Sequence, residues 1–482
     1  MNINMTQNEI ISMTVSELSE ALASRRISSV ELTRAYLDSI AGQDDVLGAF
    51  LTVTADRALE SAGRIDSMRT RGEELHRLAG IPFALKDNIM TRGIRTTCAS
   101  RMLEDFVPVF ESTASERLNE YGGVLLGKLN MDEFAMGSTT ANSYFKKTLN
   151  PHDHERVPGG SSGGAAAAVA AAEVPYALGS DTGGSVRQPA AFCGCVGVKP
   201  TYGRVSRYGL IAFASSLDQI GVLARNVYDS ALVLSAIVGS DSRDATSVGG
   251  SEDFTAGIDL GVKGMRIGIP EEFFTADGID RAVADCVRGA AEIFEKLGAE
   301  LVPVSFGSLG YALPAYYILS SAEASSNLAR YDGVRFGHRA KDFGNIDALF
   351  EKSRAEGFGA EVKRRIMLGT FALSSGYYDK YYKRAVGAKQ RVKEDFDRAF
   401  GECELILAPT TPSAAYRFGE KPDPISEYMG DIFTIPASLA GLPAMSLPCG
   451  AVNGLPVGMQ LIGRAFDEKT LFRAGYVFEA NV

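Results

Sequence analysis

The sequence predicts a single large α/β domain, in which a central, mixed but mostly parallel twisted sheet is covered by helices on both faces. Three observations carry that expectation. Short apolar runs of strand character alternate with helix-like segments along the whole chain, the pattern of an α/β sheet with parallel character. No internal repeat, low-complexity tract or linker divides the 482 residues, so one unit spanning 1–482 is expected. A hydrophobic content of 45% and a charged content of 22% are those of a chain with a sizeable core.

The elements follow in order. Thr14-x-x-Glu17 and Ser28-x-x-Glu31 are capping boxes, each opening a helix. In the second helix Leu32, Ala35, Tyr36 and Ile40 fall on one face. A helical N-terminal segment of about 1–45 that packs on the body is therefore expected. Ala49–Val53 reads as a strand, Asp56 to about Met68 as a helix and Gly80–Leu85 as a buried strand. Thr113–Tyr121 reads as a helix closed by Gly122-Gly123, with a strand at Val124–Leu126. The alanine run Ala165–Ala172 predicts a tightly packed helix, followed by a strand at Val174–Leu178. Further strands are expected at Met265–Ile269, Leu301–Val304, Leu405–Ala408, Ala444–Leu447 and Val457–Ile462. A helix after residue 269 carries Val283, Val287, Ala290, Phe294 and Leu297 on one stripe. Residues 315–400 read as mostly helical, with clustered tyrosines and basic residues, and Lys469–Glu479 as a closing helix.

The bulk numbers exclude some functions. A net charge of −10 makes the chain a poor phosphate binder by itself. If it serves an RNA, another chain is expected to hold that RNA. The 6 cysteines form no zinc-like pattern, and Cys193-x-Cys195 lacks a second pair, so small buried thiols and no metal are expected. Met1–Glu9 is polar and has no basic start before an apolar block, unlike a signal peptide. No run of about 18 apolar residues suggests a membrane span, and a cytoplasmic location is expected.

The chemistry is expected at two glycine-flanked serines. In Asp181-Thr-Gly-Gly-Ser185 the glycines let successive amide protons converge on one point, a site for a developing oxyanion. Ser185, at a sharp turn between strand and helix, is placed as a nucleophile, although the Gly-x-Ser-x-Gly elbow is absent. Only 4 histidines are present, none in a motif, so a histidine base is not expected. Lys86 ends an apolar run and can serve instead if burial keeps it neutral. The loop Gly159-Gly-Ser-Ser-Gly-Gly164 supplies a second serine, Ser161, and lacks the Gly-Lys-Ser/Thr ending of a P-loop.

Lys86, Gly-Gly-Ser161-Ser-Gly-Gly and Asp-Thr-Gly-Gly-Ser185 together resemble the amidase signature family, with its Ser–cis-Ser–Lys triad. The resemblance runs over nearly the whole chain. Lys86-Asp-Asn-Ile, Gly127–Gly137, Arg187–Cys193 and Ser206–Gln219 are closest to one branch, the A subunits of glutamyl-tRNA(Gln)/aspartyl-tRNA(Asn) amidotransferases. Where relatives often carry a serine after the second Gly-Gly, this chain has Ala165, a departure expected to touch helix packing only. The resemblance implies that Ser185 is the nucleophile, that Ser161, held by a cis peptide after Gly160, is the relay, and that neutral Lys86 is the base. It implies oxyanion donors around Thr182, Gly183, Gly184 and Ser185. It also implies a glutamine pocket in which Arg365 holds the carboxylate, Asp431 the amine, and Tyr316 forms a wall. Ammonia would pass to a partner B subunit that binds tRNA and uses ATP and Mg2+, with a small C subunit completing a heterotrimer. No cofactor is implied in this chain. Whether Glu-tRNA(Gln), Asp-tRNA(Asn) or both accept the ammonia stays open. A stand-alone amidase of the same family is the alternative, and Arg365 with Asp431 discriminates, since only a zwitterionic substrate needs both charges. An inactive scaffold is the third reading, and the presence of all three triad residues argues against it.

Overall fold

The computed structural model describes residues 5–421 and 423–482. The first four residues of the polar opening stretch lie outside them. Eleven strands form one sheet: β1 (Phe50–Val53), β2 (Pro82–Lys86), β3 (Val124–Leu129), β4 (Tyr176–Asp181), β5 (Val196–Lys199), β6 (Gln219–Ala224), β7 (Arg266–Pro270), β8 (Glu300–Val304), β9 (Leu405–Pro409), β10 (Ala444–Val452) and β11 (Leu455–Gly463). Their order is β1-β3-β2-β4-β6-β5-β10-β11-β9-β7-β8. β2, β3, β4, β5, β6 and β9 are buried throughout, as strands covered on both faces must be.

The sheet is mixed, but it is not mostly parallel. Parallel pairing is confined to β3–β2–β4 on one flank and β9–β7–β8 on the other. The centre, from β4 through β6, β5, β10 and β11 to β9, is antiparallel, as is β1 on β3. Connections cause the difference. β10 and β11 are joined by the tight turn Asn453-Gly454, with positive φ at both residues, which suits a two-residue hairpin. β6 enters antiparallel between β4 and β5, separating two strands linked by the helix Arg187–Cys193. β5 and β6 escape a reading of apolar runs because each is short and interrupted by a glycine.

Adjacent residues of β10 show which helices cover which face, because successive side chains point to opposite sides. Gly458, which Ser446 faces across the β10–β11 pair, meets Ala191 of the helix Arg187–Cys193. Met445 reaches Gly475 of the helix Glu468–Glu479, which in turn meets Val227 of the helix Val227–Ile237.

Both N-terminal capping boxes are formed. The Glu17 carboxylate accepts from Thr14 N at 2.7 Å, and that of Glu31 accepts from Ser28 N at 2.8 Å. The body then grips the same helix ends. Asp229 accepts from Val15 N and Ser16 N, and Asp66 from Ser29 N and Val30 N, placing carboxylates at two positive helix termini.

The helix Leu309–Asn327 packs against Ala360–Leu373 and against Lys383–Ala399, forming a helical layer. The first two touch so closely that a Cβ at Gly369 would lie 1.9 Å from the Ser321 carbonyl oxygen. Backbone on backbone cannot yield without parting the helices. Gly369→Ala is therefore expected to destabilise the fold by about 1–3 kcal/mol, the cost of overpacking. A denaturant midpoint equal to wild type would contradict this packing.

Candidate active site

Lys86 ends β2 and Asp181 ends β4, so the parallel pair delivers both to the same edge of the sheet. Lys86 is fully buried. Its ammonium nitrogen lies 2.7 Å from Ser161 Oγ, 2.8 Å from Ser162 Oγ and 3.2 Å from the Ser180 carbonyl. Burial drives its pKa down to about 7, against the opposing pull of Asp132, Asp181 and Asp218. A substantial fraction is thus neutral near pH 7.

Ser161 and Ser162 are buried in the glycine loop that opens the helix Gly163–Ala170. The Gly160–Ser161 peptide is cis. The loop is tied down from both sides: Ser162 N donates to the Ser185 carbonyl at 3.0 Å, and Gly160 N to Gln188 Oε1 at 2.8 Å. Backbone contact therefore brings the two serine loops together. The Ser185 hydroxyl itself makes no hydrogen bond among the described residues, so the Ser161–Ser185 link expected of a relay is not closed here.

The turn before Ser185 is built around Asp181. Its carboxylate accepts from Gly184 N at 2.8 Å, Val186 N at 3.2 Å and Arg187 N at 3.4 Å. It also accepts two bonds of 3.0 Å from the Arg187 guanidinium. Arg187 is fully buried, and its remaining donors reach the Thr434 carbonyl, Gln460 Oε1 and Ser438 Oγ. A buried pair so fully satisfied fixes the turn. Burial alone would raise the Asp181 carboxyl, and Arg187 overrides it, leaving the group below the ordinary range.

Among the expected oxyanion donors, the Gly184 N–H is thus already committed to Asp181. The N–H groups of Thr182, Gly183 and Ser185 have no partner among the described residues. Gly184 adopts φ +140°, and a Cβ there would sit 2.2 Å from Thr434 Oγ1, so glycine is required on both counts. The Thr182 hydroxyl donates to Asp218 at 2.7 Å, which anchors the turn to the loop ahead of β6.

Tyr316 lies over this turn, its ring carbon Cζ 2.6 Å from where a Gly183 Cβ would be. Thr434 Oγ1 donates to the Gly183 carbonyl at 2.6 Å and lies 3.1 Å from the Asp431 carbonyl, so Asp431 is one bridge from the turn. Asp431 is buried, accepts from Ser138 Oγ at 2.6 Å, and is pushed up to about 7 by burial. Arg365 is buried too. Its guanidinium carbon lies 4.4 Å from the Tyr317 ring and 4.8 Å from that of Tyr428, and its Nε donates to Glu361 at 2.7 Å. Its Nη1 is buried with no partner among the described residues, a donor available to an anion. Among these residues no group of three or more His, Cys, Asp or Glu is placed to hold a metal ion.

A family model described as Amidase matches residues 31–472. The chain belongs to the amidase family. Among its relatives, the A subunit of the glutamyl-tRNA(Gln) amidotransferase of Caldanaerobacter subterraneus subsp. tengcongensis is 55% identical over 473 residues, covering 98% of this chain and 96% of that protein. The protein of the same name from Moorella thermoacetica is 56% identical over 475 residues, covering 98% and 97%. The crystal structure of the corresponding A subunit of the glutamyl-tRNA(Gln) amidotransferase from Thermotoga maritima superposes with a TM-score of 0.79 at 42% identity, covering 100% of this chain and 95% of that one. The native peptide amidase of Stenotrophomonas maltophilia superposes with a TM-score of 0.84 at 31% identity, covering 97% and 96%.

Several members of this amidase's site have no clear mark in the sequence. Ser162 shares Lys86 with Ser161, and its only signal is adjacency. Asp181 and Arg187 stand inside recognisable motifs, without a sign that they bind each other. Glu361, Tyr317 and Tyr428, which hold Arg365, carry no local signal, because helical layers bring them together from distant segments.

Proposed function

We propose that the chain is the glutamine-hydrolysing A subunit of a tRNA-dependent amidotransferase, releasing ammonia that converts Glu-tRNA(Gln) to Gln-tRNA(Gln). Asp-tRNA(Asn) remains open as a second acceptor, because the acceptor is read by another chain. In this reading the partners are a B subunit that binds tRNA, ATP and Mg2+, and a small C subunit, in a cytoplasmic heterotrimer. The observation that carries the substrate assignment is a buried Arg365 close enough to act electrostatically on a buried Asp431, which lies one bridge from the Ser185 turn. Arg365 offers an unpaired donor and Asp431 a carboxylate, which suits the two charged ends of an amino acid. A stand-alone aryl or lipid amidase has no use for both.

Ser185 attacks the side-chain amide carbon of glutamine. Its proton passes to Ser161, whose own proton passes to neutral Lys86. The amide protons of Thr182, Gly183 and Ser185 face the oxyanion, while Gly184 serves the turn through Asp181. Collapse of the tetrahedral intermediate returns the proton from Lys86, through Ser161, to the leaving amine. Ammonia departs, and water then hydrolyses the glutamyl ester with the same base.

Arg365→Ala is expected to raise KM for glutamine by about 10- to 100-fold, the loss of a charge-assisted bond, with a smaller change in kcat. Arg365→Lys should not restore it, because a lysine cannot keep the bond to Glu361 and the contacts with the stacked Tyr317–Tyr428 pair while leaving a donor free. An unchanged KM in the assembled enzyme would refute the glutamine pocket.

A further inference from the structure

The helix Ala360–Leu373 has two apolar faces, and only one is filled. Val362, Arg365, Gly369 and Ala372 point inward. Met367, Leu368 and Phe371 stand outward in the uncharged run Met367–Leu373, with Met367 66% and Phe371 44% exposed. A surface helix ordinarily turns polar residues to water. Beyond the helix, Phe371 packs on Tyr377 at 4.3 Å, and both lie against Tyr381 at 5.7 and 5.9 Å. Tyr377 caps and Tyr381 lies within a π-helical turn, Tyr378–Tyr382, a rare geometry often found at functional places. The same segment carries the exposed cations Lys363, Arg364, Lys380, Lys383 and Arg384, of which Lys380 lies over the Tyr381 ring and Lys383 over that of Tyr378. Its two carboxylates are engaged: Glu361 holds Arg365 and Arg364, and Asp379 pairs with Lys383 at 2.6 Å. A positive apolar platform on a chain of net charge −10 is a local inversion of sign.

We propose that this face docks a partner subunit through a surface that combines acidic and apolar side chains, an inference that rests on the reading of the chain as one subunit of an assembly. Charge complementarity selects that occupant. A second copy in the usual two-fold pairing would set these cations against themselves. A nucleic acid would need free ring faces for its bases, whereas here the rings already pack on one another beside aliphatic side chains that bases do not use. The opposite face of the same helix carries Arg365, so the partner would sit directly behind the substrate pocket.

The test is assembly of the full chain with the cognate B and C subunits, followed by light scattering and titration. The wild-type chain should form a stoichiometric complex whose Kd weakens with added salt. The double variant Met367→Glu/Phe371→Glu, folded by circular dichroism, should weaken it by at least about 100-fold, the loss of two anchor side chains. Lys380→Glu/Lys383→Glu should weaken it by about 10-fold. A photo-crosslinking residue at position 371 should capture a partner subunit, which reads the contact even where a charged variant fails to fold. Unchanged Kd in the variants without a crosslink overturns the docking surface and leaves the subunit reading intact. So does a variant that loses only tRNA binding or only self-association while the complex persists. Failure of the wild-type chain to assemble at all overturns both.

Discussion

Ser185→Ala is expected to lower glutamine hydrolysis by at least about 10⁴-fold in the assembled enzyme, since loss of a nucleophile leaves only binding and oxyanion contacts. The turn should survive the change. It is fixed by the Asp181–Arg187 pair and by backbone bonds, and the Ser185 hydroxyl takes part in none of them. Thermal stability should therefore match wild type, which separates loss of chemistry from loss of fold. Ammonia release at more than a few per cent of wild type would show that another group attacks the amide.

Lys86→Met is expected to cost about 10³–10⁴-fold, the upper range for general-base catalysis, and to stop acyl-enzyme formation. Hydroxylamine should trap glutamyl hydroxamate from wild type only. Equal hydroxamate from the variant would move the base elsewhere. The wild-type pH profile provides the companion test. Burial favours the neutral amine and sets its pKa at about 7. The base is neutral above that pKa, so kcat/KM should rise with pH on a limb centred near 7 and level off above it. A flat profile between pH 6 and 8 would mean that Lys86 does not titrate as the base. The methionine fills the buried space without a charge, so the variant should remain folded.

How much of this is legible in the sequence differs from residue to residue. Lys86 taken alone reads as a surface residue at a strand end, and it can be placed only because two Ser-Gly motifs downstream call for a base. Ser161 and Ser185 are marked by glycines that only a tight turn needs. The roles of Arg365, Asp431 and Tyr316 come through resemblance, since no local pattern joins residues held by three separate segments. The commitment of the Gly184 N–H to Asp181 is illegible, because motif spacing does not tell which amide points to solvent and which to a side chain. Strand direction is hidden for a related reason. Apolar runs show that a strand exists, but the Asn453-Gly454 hairpin and the entry of β6 between β4 and β5 decide which way it runs.

Lys86 has no contact with solvent, and its hydrogen bonds end on two serine hydroxyls and one carbonyl. With glutamine seated over the Ser185 turn, the shortest way out for a proton taken up there is back through Ser161, and it leaves with the displaced nitrogen. In the proposed reaction, then, acylation consumes and produces no net hydrogen ion, and the nitrogen is born as uncharged NH₃. That is the species able to cross from one protein to another without shedding a hydration shell.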